Sequence, residues 1–221
     1  MMLLRPPGVY PPQGDSALLA RALIEELSAR RAPGRAEVLE LGTGSGAVAV
    51  VAAGMGARVT AVDVSWLALA TAWINSRLRR RRVHLRHGDL GAPVRGRRFD
   101  LVVSNPPYVP ARSAGAPGHG PERAWDAGPD GRLLLDRICR QAAGLLGPGG
   151  AVLLVQSSLA APAATLDALA AAGLRPRIVA RRRQPFGPVM SARAAWFEQQ
   201  GLIPRGVRDE ELVVIRGARP A

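Results

Sequence analysis

The motif Asn-Pro-Pro-Tyr, residues 105–108, follows directly after the apolar run "FDLVVS" of residues 99–104. Two prolines in succession end a strand, because proline has a fixed φ and no backbone N–H. Such a turn holds the Asn105 carboxamide and the Pro106 carbonyl rigidly, and each oxygen can accept a hydrogen bond from an –NH2 group. Tyr108 can stack on a planar amide or base. The motif therefore predicts a site that holds a planar nitrogen, with these residues in catalysis and acceptor binding: Asn105, Pro106, Pro107 and Tyr108.

A glycine-rich loop, "LELGTGSGA" at residues 39–47, follows the first apolar run. Gly42, Gly44 and Gly46 let the backbone turn tightly and approach a ligand closely. The next helix begins there and exposes free N–H groups. In an open α/β sheet, ligands bind at the carboxyl ends of the strands. The loop therefore predicts a nucleotide-type site that includes Thr43.

Two kinds of nucleotide fit the glycine spacing. Gly42, Gly44 and Ala47 satisfy the dinucleotide pattern G-x-G-x-x-G/A, and Asp63 lies about twenty residues further on. A nicotinamide-dependent oxidoreductase is therefore an alternative. Glu40 argues against it, because an acid beside a pyrophosphate would be repelled. An acid there suits a cationic ligand such as S-adenosylmethionine, which carries a sulfonium and an ammonium group.

Three acids end the first three predicted strands, which is a more specific signal than any one of them alone. With S-adenosylmethionine in place, Asp63 can accept from both ribose hydroxyls and Asp89 from the adenine amino group. Asn105 would then lie beside the transferable methyl group. The predicted cofactor-binding residues of the strand ends are Glu40, Gly42, Thr43, Gly44, Gly46, Asp63, Val64, Asp89, Leu90 and Asn105.

The elements that must position these residues alternate between short apolar strands and helices. Continuous apolar strands of this kind indicate a parallel sheet covered on both faces. The predicted strands are 36–41, 58–64, 83–87, 99–104, 151–156, 174–181 and 210–216. We predict an α/β fold, namely a Rossmann-like, mostly parallel, seven-stranded sheet with helices on both faces and an antiparallel edge strand. Ser65 is a predicted helix N-cap.

One domain is expected over residues 1–221. It would comprise an N-terminal segment and helix (1–35), a cofactor-binding and catalytic core (36–181), a basic insertion (182–208), and a last strand with a tail (209–221). Trp66 and Trp73 lie seven residues apart on one helical face and are predicted to be core residues. Cys139, the only cysteine, is predicted to be a small buried hydrophobe.

Four segments together resemble the HemK-type protein N5-glutamine methyltransferases, which are class I S-adenosylmethionine-dependent enzymes. They are "VYPPQGDSALL", "ELGTGSGA", "SNPPYVP" and "AWDAGPDGRLLLDRI". The resemblance implies that S-adenosylmethionine is the cofactor, that Tyr10 and Asp15 close over it, and that Trp125 contacts the substrate. The chain is nearer the short relatives that lack an N-terminal helical domain. These methylate a Gly-Gly-Gln motif in a release factor and use a small zinc-binding activator subunit. They carry an acid where this chain has Gly14.

Composition leaves the substrate open. The chain has 30 basic and 17 acidic residues, a formal net charge of +13, and every basic residue is arginine. The arginine run at 77–82 allows contact with nucleic acid, so an N-methyltransferase acting on an exocyclic amine of RNA or DNA is an alternative. A non-catalytic cofactor-binding subunit is a more distant one. We expect a protein substrate such as a release factor or a ribosome-associated protein, a cytoplasmic location, no membrane contact and no metal.

Overall fold

The computed structural model describes residues 3–30, 32–115, 118 and 120–220. Within them, seven strands form one sheet in the order β3-β2-β1-β4-β5-β7-β6. The strands are β1 Glu37–Leu41, β2 Arg58–Asp63, β3 Val83–His87, β4 Phe99–Ser104, β5 Leu146–Ser157, β6 Arg175–Pro185 and β7 Asp209–Ala218. The helices are α1 Gly14–Ser28, α2 Ala47–Gly54, α3 Trp66–Leu78, α4 Leu133–Leu145, α5 Pro162–Ala171 and α6 Pro188–Gln199.

The pairing confirms the predicted fold class. The neighbouring strands from β3 to β5 are parallel, and β7 runs antiparallel to both β5 and β6. The antiparallel strand therefore lies next to the edge, between β5 and the outermost strand β6. The strand order reverses between β1 and β4, and a reversal of this kind opens a crevice at the carboxyl ends of the strands.

Alternating side chains of the strands build a core on each face of the sheet. Val38 and Val103 pack with α1, α2 and α6 on one face. Leu39 and Val102 pack with α4 and α5 on the other, where Cys139 is fully buried as predicted. A residue period of two on a sheet covered on both faces produces this division.

Most predicted boundaries lie within a few residues of the observed ones, and three differences matter. β5 begins at Leu146 and not at 151 as predicted, so the sequence "GPGG" lies inside the strand, beside an irregularity in the pairing with β4. β6 continues to Pro185, so the segment predicted as an insertion from 182 begins as strand. The rest of that segment contains α6, whose Phe197 is fully buried.

The prediction that Trp66 and Trp73 are core residues is wrong. They are 70% and 52% exposed. The small residues of α3 decide its orientation, because Ala72 packs so closely on Gly46 that an added Cβ there would lie 2.9 Å from the Ala72 Cβ. The tryptophans lie on the opposite, outer face of the helix. Ser65 caps α3 as predicted, since its side chain accepts from the Ala68 N–H at 3.2 Å.

No helix in the described part of the chain is both long enough and apolar enough to cross a membrane.

Candidate active site

A cavity of about 730 Å³ opens at the carboxyl ends of the parallel strands, where the strand order reverses. Its size suits a nucleotide-sized ligand with room for part of a second molecule. With one exception, Gly46, every residue predicted for cofactor or acceptor binding lines it. Those that line it are Tyr10, Asp15, Glu40, Gly42, Thr43, Gly44, Asp63, Val64, Asp89, Leu90, Asn105, Pro106, Pro107, Tyr108 and Trp125.

Of the three glycines in the loop after β1, two leave space for a ligand and one packs against a helix. All have positive φ angles: +69° at Gly42, +53° at Gly44 and +77° at Gly46. A Cβ on Gly42 or Gly44 would meet no atom within 4 Å, so these two leave open space for a ligand. Gly46 instead lies against Ala72 of α3. Gly46 therefore allows the loop to pack on α3. Gly42 and Gly44 line the cavity, and the open space beside them is called the notch below.

Glu40, the last residue but one of β1, carries a buried carboxyl group and is 3% exposed. Its Oε2 accepts from the Thr43 hydroxyl at 2.6 Å and from the Ala49 N–H at 3.0 Å. Burial raises its pKa to about 8, against the lowering effect of these two bonds and with a contribution from the negative charge of Asp63. A carboxyl group that is costly to ionise in the empty cavity is poised to gain from a cationic ligand.

The acids after β2 and β3 are tied to neighbouring groups. Asp63 accepts from the Gly44 N–H at 2.9 Å and from the Ser65 N–H at 2.8 Å, so it links the glycine loop to the start of α3. Burial raises its pKa. Asp89 forms an ion pair with Arg137 of α4, which also lines the cavity. Sequence reasoning missed Arg137, because nothing local marks a helix residue that reaches a strand end 48 positions away.

The first turn of α1 holds both polar side chains of the Asn-Pro-Pro-Tyr motif. The Asn105 Nδ2 donates to Ser16 Oγ at 3.2 Å. The Tyr108 hydroxyl donates to Asp15 Oδ2 at 3.1 Å, and the Tyr10 hydroxyl donates to the same oxygen at 2.9 Å. Burial and the charge of Asp15 raise the pKa of both tyrosines, which therefore stay protonated donors. Asp15 thus holds the acceptor motif and also lines the cavity. No role for Ser16 was predicted from the sequence.

The described residues around Trp125, in the loop that follows the motif, line the cavity and pair with the start of that loop. Val109 pairs with Asp126 in a parallel bridge. Its N–H donates to the Trp125 carbonyl at 2.9 Å. Arg193 of α6 holds the two paired parts of this loop together. Its Nη1 donates to Asp126 Oδ1 at 2.5 Å and to the Pro110 carbonyl at 3.0 Å. α6, which lies in the segment predicted to be a basic insertion, therefore helps to position Trp125.

A second buried acid borders the acceptor side of the cavity. Glu210 at the start of β7 is 4% exposed and accepts from Gln184 Nε2 at 3.1 Å. Burial raises its pKa, and the charge of Asp15 adds to the rise. Sequence reasoning missed this residue as well. The cavity therefore combines oxygen acceptors at its strand ends with acids behind the motif, a surface suited to amino groups and cations.

Comparison with known sequences agrees with this geometry. The profile described as "Methyltransferase small domain" matches residues 2–116. A protein of Methanocaldococcus jannaschii, provisionally named as a protein N5-glutamine methyltransferase, is 33% identical over 185 residues, covering 83% of this chain and 90% of that protein. The release factor glutamine methyltransferase of Moorella thermoacetica is 39% identical over 158 residues, which are 67% of this chain and 54% of that enzyme. The chain thus spans about half the length of this bacterial relative.

Among solved structures, the E. cuniculi Mtq2–Trm112 complex, described as responsible for methylation of the eRF1 translation termination factor, has a similar fold. The TM-score is 0.65 with 23% sequence identity, and the match covers 96% of this chain and 99% of that one. At that identity the likeness concerns the fold alone. The sequence-based expectation of a HemK-type methyltransferase is confirmed by the family match and the relatives. None of these relatives is a nicotinamide-dependent oxidoreductase.

Proposed function

This chain belongs to the methyltransferase small-domain family, and on that premise we propose that it methylates the side-chain amide nitrogen of a glutamine in a protein. The observation that supports this most directly is the Asn105 carboxamide. The Asn105 Nδ2 donates a hydrogen bond to Ser16 Oγ, so the Asn105 Oδ1 is left to accept a hydrogen bond from a substrate –NH2. The Pro106 carbonyl is a second acceptor fixed by the same rigid turn.

We assign the cofactor to the part of the cavity formed by the glycine loop and the acids at the strand ends. S-adenosylmethionine supplies a methyl group already activated by its sulfonium. The open notch at Gly42 and Gly44 admits the ligand closely, and Glu40 offers a negative charge to its cationic end. Asp63 and Asp89 would accept from the ribose hydroxyls and the adenine amino group, as predicted from their places at the strand ends.

Transfer needs little from the protein beyond positioning and charge stabilisation. Bound S-adenosylmethionine would supply its methyl group to the amide nitrogen of the substrate and would leave as a neutral thioether. Positive charge grows on the nitrogen, and Asn105 Oδ1 and the Pro106 carbonyl stabilise it through the two N–H groups. The nitrogen then loses one proton to solvent. Tyr108, fixed by Asp15, would stack on the planar amide.

The proposed substrate is a translation factor or a ribosome-associated protein. The M. thermoacetica relative is named for methylation of a release factor and the E. cuniculi complex for methylation of eRF1. Both of these proteins are thus described as acting on a translation factor. Because exposed arginines lie at the end of α3, the experiment also tests RNA and DNA as substrates.

The experiment uses S-adenosylmethionine with a tritiated methyl group and a methylation-naive cell extract. Half of each sample is treated with protease and half with nuclease before the label is sized. We expect label that is lost to protease, and that is reduced to a small residue with the Asn105→Ala variant, which should bind cofactor nearly as well as wild type. Label lost to nuclease would replace the proposal with a nucleic-acid methyltransferase.

We also propose that a small second subunit covers the outer face of α3. Besides the two exposed tryptophans, Ile74 and Leu78 lie uncovered there, next to β3, the strand at the sheet edge. A group of exposed apolar side chains on one face is typical of an interface, and the E. cuniculi neighbour is a complex of two proteins. Added extract should stimulate transfer by the purified chain but not by its Leu78→Glu variant. Full activity of the purified chain alone would contradict this.

A further inference from the structure

Two consecutive residues of α1 accept hydrogen bonds from the two polar side chains of the acceptor motif. Asp15 accepts from Tyr108, and Ser16 accepts from Asn105, which lies 89 positions away in the sequence. Ser16 is itself fixed, because it is buried in the first turn of α1 and its N–H donates to Asp15 Oδ1 at 2.5 Å. The Ser16 hydroxyl therefore occupies a defined place behind the Asn105 carboxamide.

We propose that Ser16 is a positioning residue for methyl transfer, acting through Asn105. The inference rests on the proposed function, in which Asn105 Oδ1 accepts from the substrate –NH2. Ser16 never touches the substrate in this role. It holds the nitrogen end of the carboxamide, so the oxygen end stays directed at the acceptor.

The physical reason lies in the freedom of an asparagine side chain. The terminal torsion of asparagine has a broad, roughly two-fold profile, so an unanchored carboxamide samples many orientations. In a flipped orientation its –NH2 would face the –NH2 of the substrate, and two donors cannot bond to each other. Prolines restrain the backbone of the motif but not this side-chain torsion. A hydrogen bond from the Asn105 –NH2 to the fixed Ser16 hydroxyl is what restrains it here.

Removal of the hydroxyl should therefore affect turnover more than binding. A single hydrogen bond of this kind is typically worth about a tenfold change in rate. We expect Ser16→Ala to lower kcat by about tenfold, with the KM for S-adenosylmethionine changed by less than about twofold. Ser16→Thr keeps the hydroxyl and should restore most of kcat. Ser76→Ala, which removes a buried hydroxyl bonded to the Trp73 carbonyl of α3, is the matched control and should leave kcat unchanged.

A double-mutant cycle separates positioning from a general structural effect. If Ser16 acts only through Asn105, Ser16→Ala should cost nothing more once Asn105 is alanine. An equal tenfold loss in the Asn105→Ala background would overturn the proposal, as would a wild-type kcat in Ser16→Ala alone.

NMR of the side-chain carboxamides gives a readout that needs no turnover. The Asn105 –NH2 signals are assigned by their loss in Asn105→Ala. In Ser16→Ala they should move to the positions of an unbonded amide, and in Ser16→Thr they should stay near the wild-type positions. Unchanged signals in Ser16→Ala would overturn the proposal. If wild type transferred no methyl group to glutamine, the proposed function would fail, while these signals would still decide whether Ser16 holds Asn105.

Discussion

Replacement of Glu40 by glutamine should stabilise the cofactor-free protein at alkaline pH while weakening its hold on the cofactor. Glu40 is nearly inaccessible, and its pKa lies at about 8 instead of 4.5, with burial as the main cause. Glutamine is neutral and has nearly the same shape. Its side-chain oxygen can still accept from the Thr43 hydroxyl and the Ala49 N–H, the two groups that bond to Glu40.

The sign follows from the direction of the pKa change. A carboxyl group whose pKa is raised on folding holds its proton more tightly in the folded protein. Its contribution to stability is complete below pH 4.5, the unfolded value, and is lost as the pH rises to about 8. At about 1.4 kcal/mol for each unit of pKa, the whole interval corresponds to about 5 kcal/mol. Stability of wild type relative to Glu40→Gln should fall by an amount of this order across the interval.

Urea unfolding of both proteins without cofactor, from about pH 5 to about pH 9, measures this directly. The difference between the two unfolding free energies isolates Glu40, because Asp63 and Glu210 titrate in both proteins. The same variant should bind S-adenosylmethionine more weakly at pH 8 by calorimetry, since it offers no negative charge. Parallel stability curves for the two proteins would refute the reasoning that Glu40 is a buried acid with a raised pKa.

Three other perturbations test separate parts of the account. Arg193→Ala should cost about 2 kcal/mol and speed hydrogen exchange around Val109 and Asp126 but not in β1, because Arg193 anchors that loop; equal exchange in both proteins would argue against the anchor. Gly131→Ala should cut transfer by more than about tenfold with cofactor binding intact, because the new Cβ would lie 2.3 Å from the Tyr108 carbonyl oxygen. Gly144→Ala is the control and should leave transfer unchanged, because its new Cβ would meet no atom within 4 Å. Cys139 should resist thiol reagents at pH 8 until the protein is unfolded, because burial raises its pKa to about 11; rapid modification of the folded protein would contradict its place in the core.

The features that could be predicted from the sequence are local ones. The glycine loop, the acids at the strand ends and the Asn-Pro-Pro-Tyr turn are each a short run next to an apolar strand. Parallel strands bring their carboxyl ends to one edge, so these runs converge in any fold of this class. The strand order was therefore enough to predict that these runs line the cavity, whereas Tyr10, Asp15 and Trp125 were expected from the family resemblance.

The missed residues depend on contacts between distant parts of the chain. Ser16 meets Asn105, Arg137 meets Asp89, and Gln184 meets Glu210 only after the sheet and helices have packed. No residue type or spacing marks these partners in advance. The exposed face of α3 was missed for a related reason. A seven-residue spacing of tryptophans predicts a shared face, but the small residues packed against the glycine loop decide which face is buried.

The most direct test of the central claim is mass spectrometry of the methylated product. Wild-type protein and its Asn105→Ala variant are each incubated with S-adenosylmethionine and methylation-naive extract, and the digested proteins are sequenced by fragmentation. The account predicts a mass gain of one methylene group on a glutamine side chain with wild type and far less of this product with the variant. A gain on lysine, arginine or a backbone terminus instead, or equal methylation by both proteins, would contradict it.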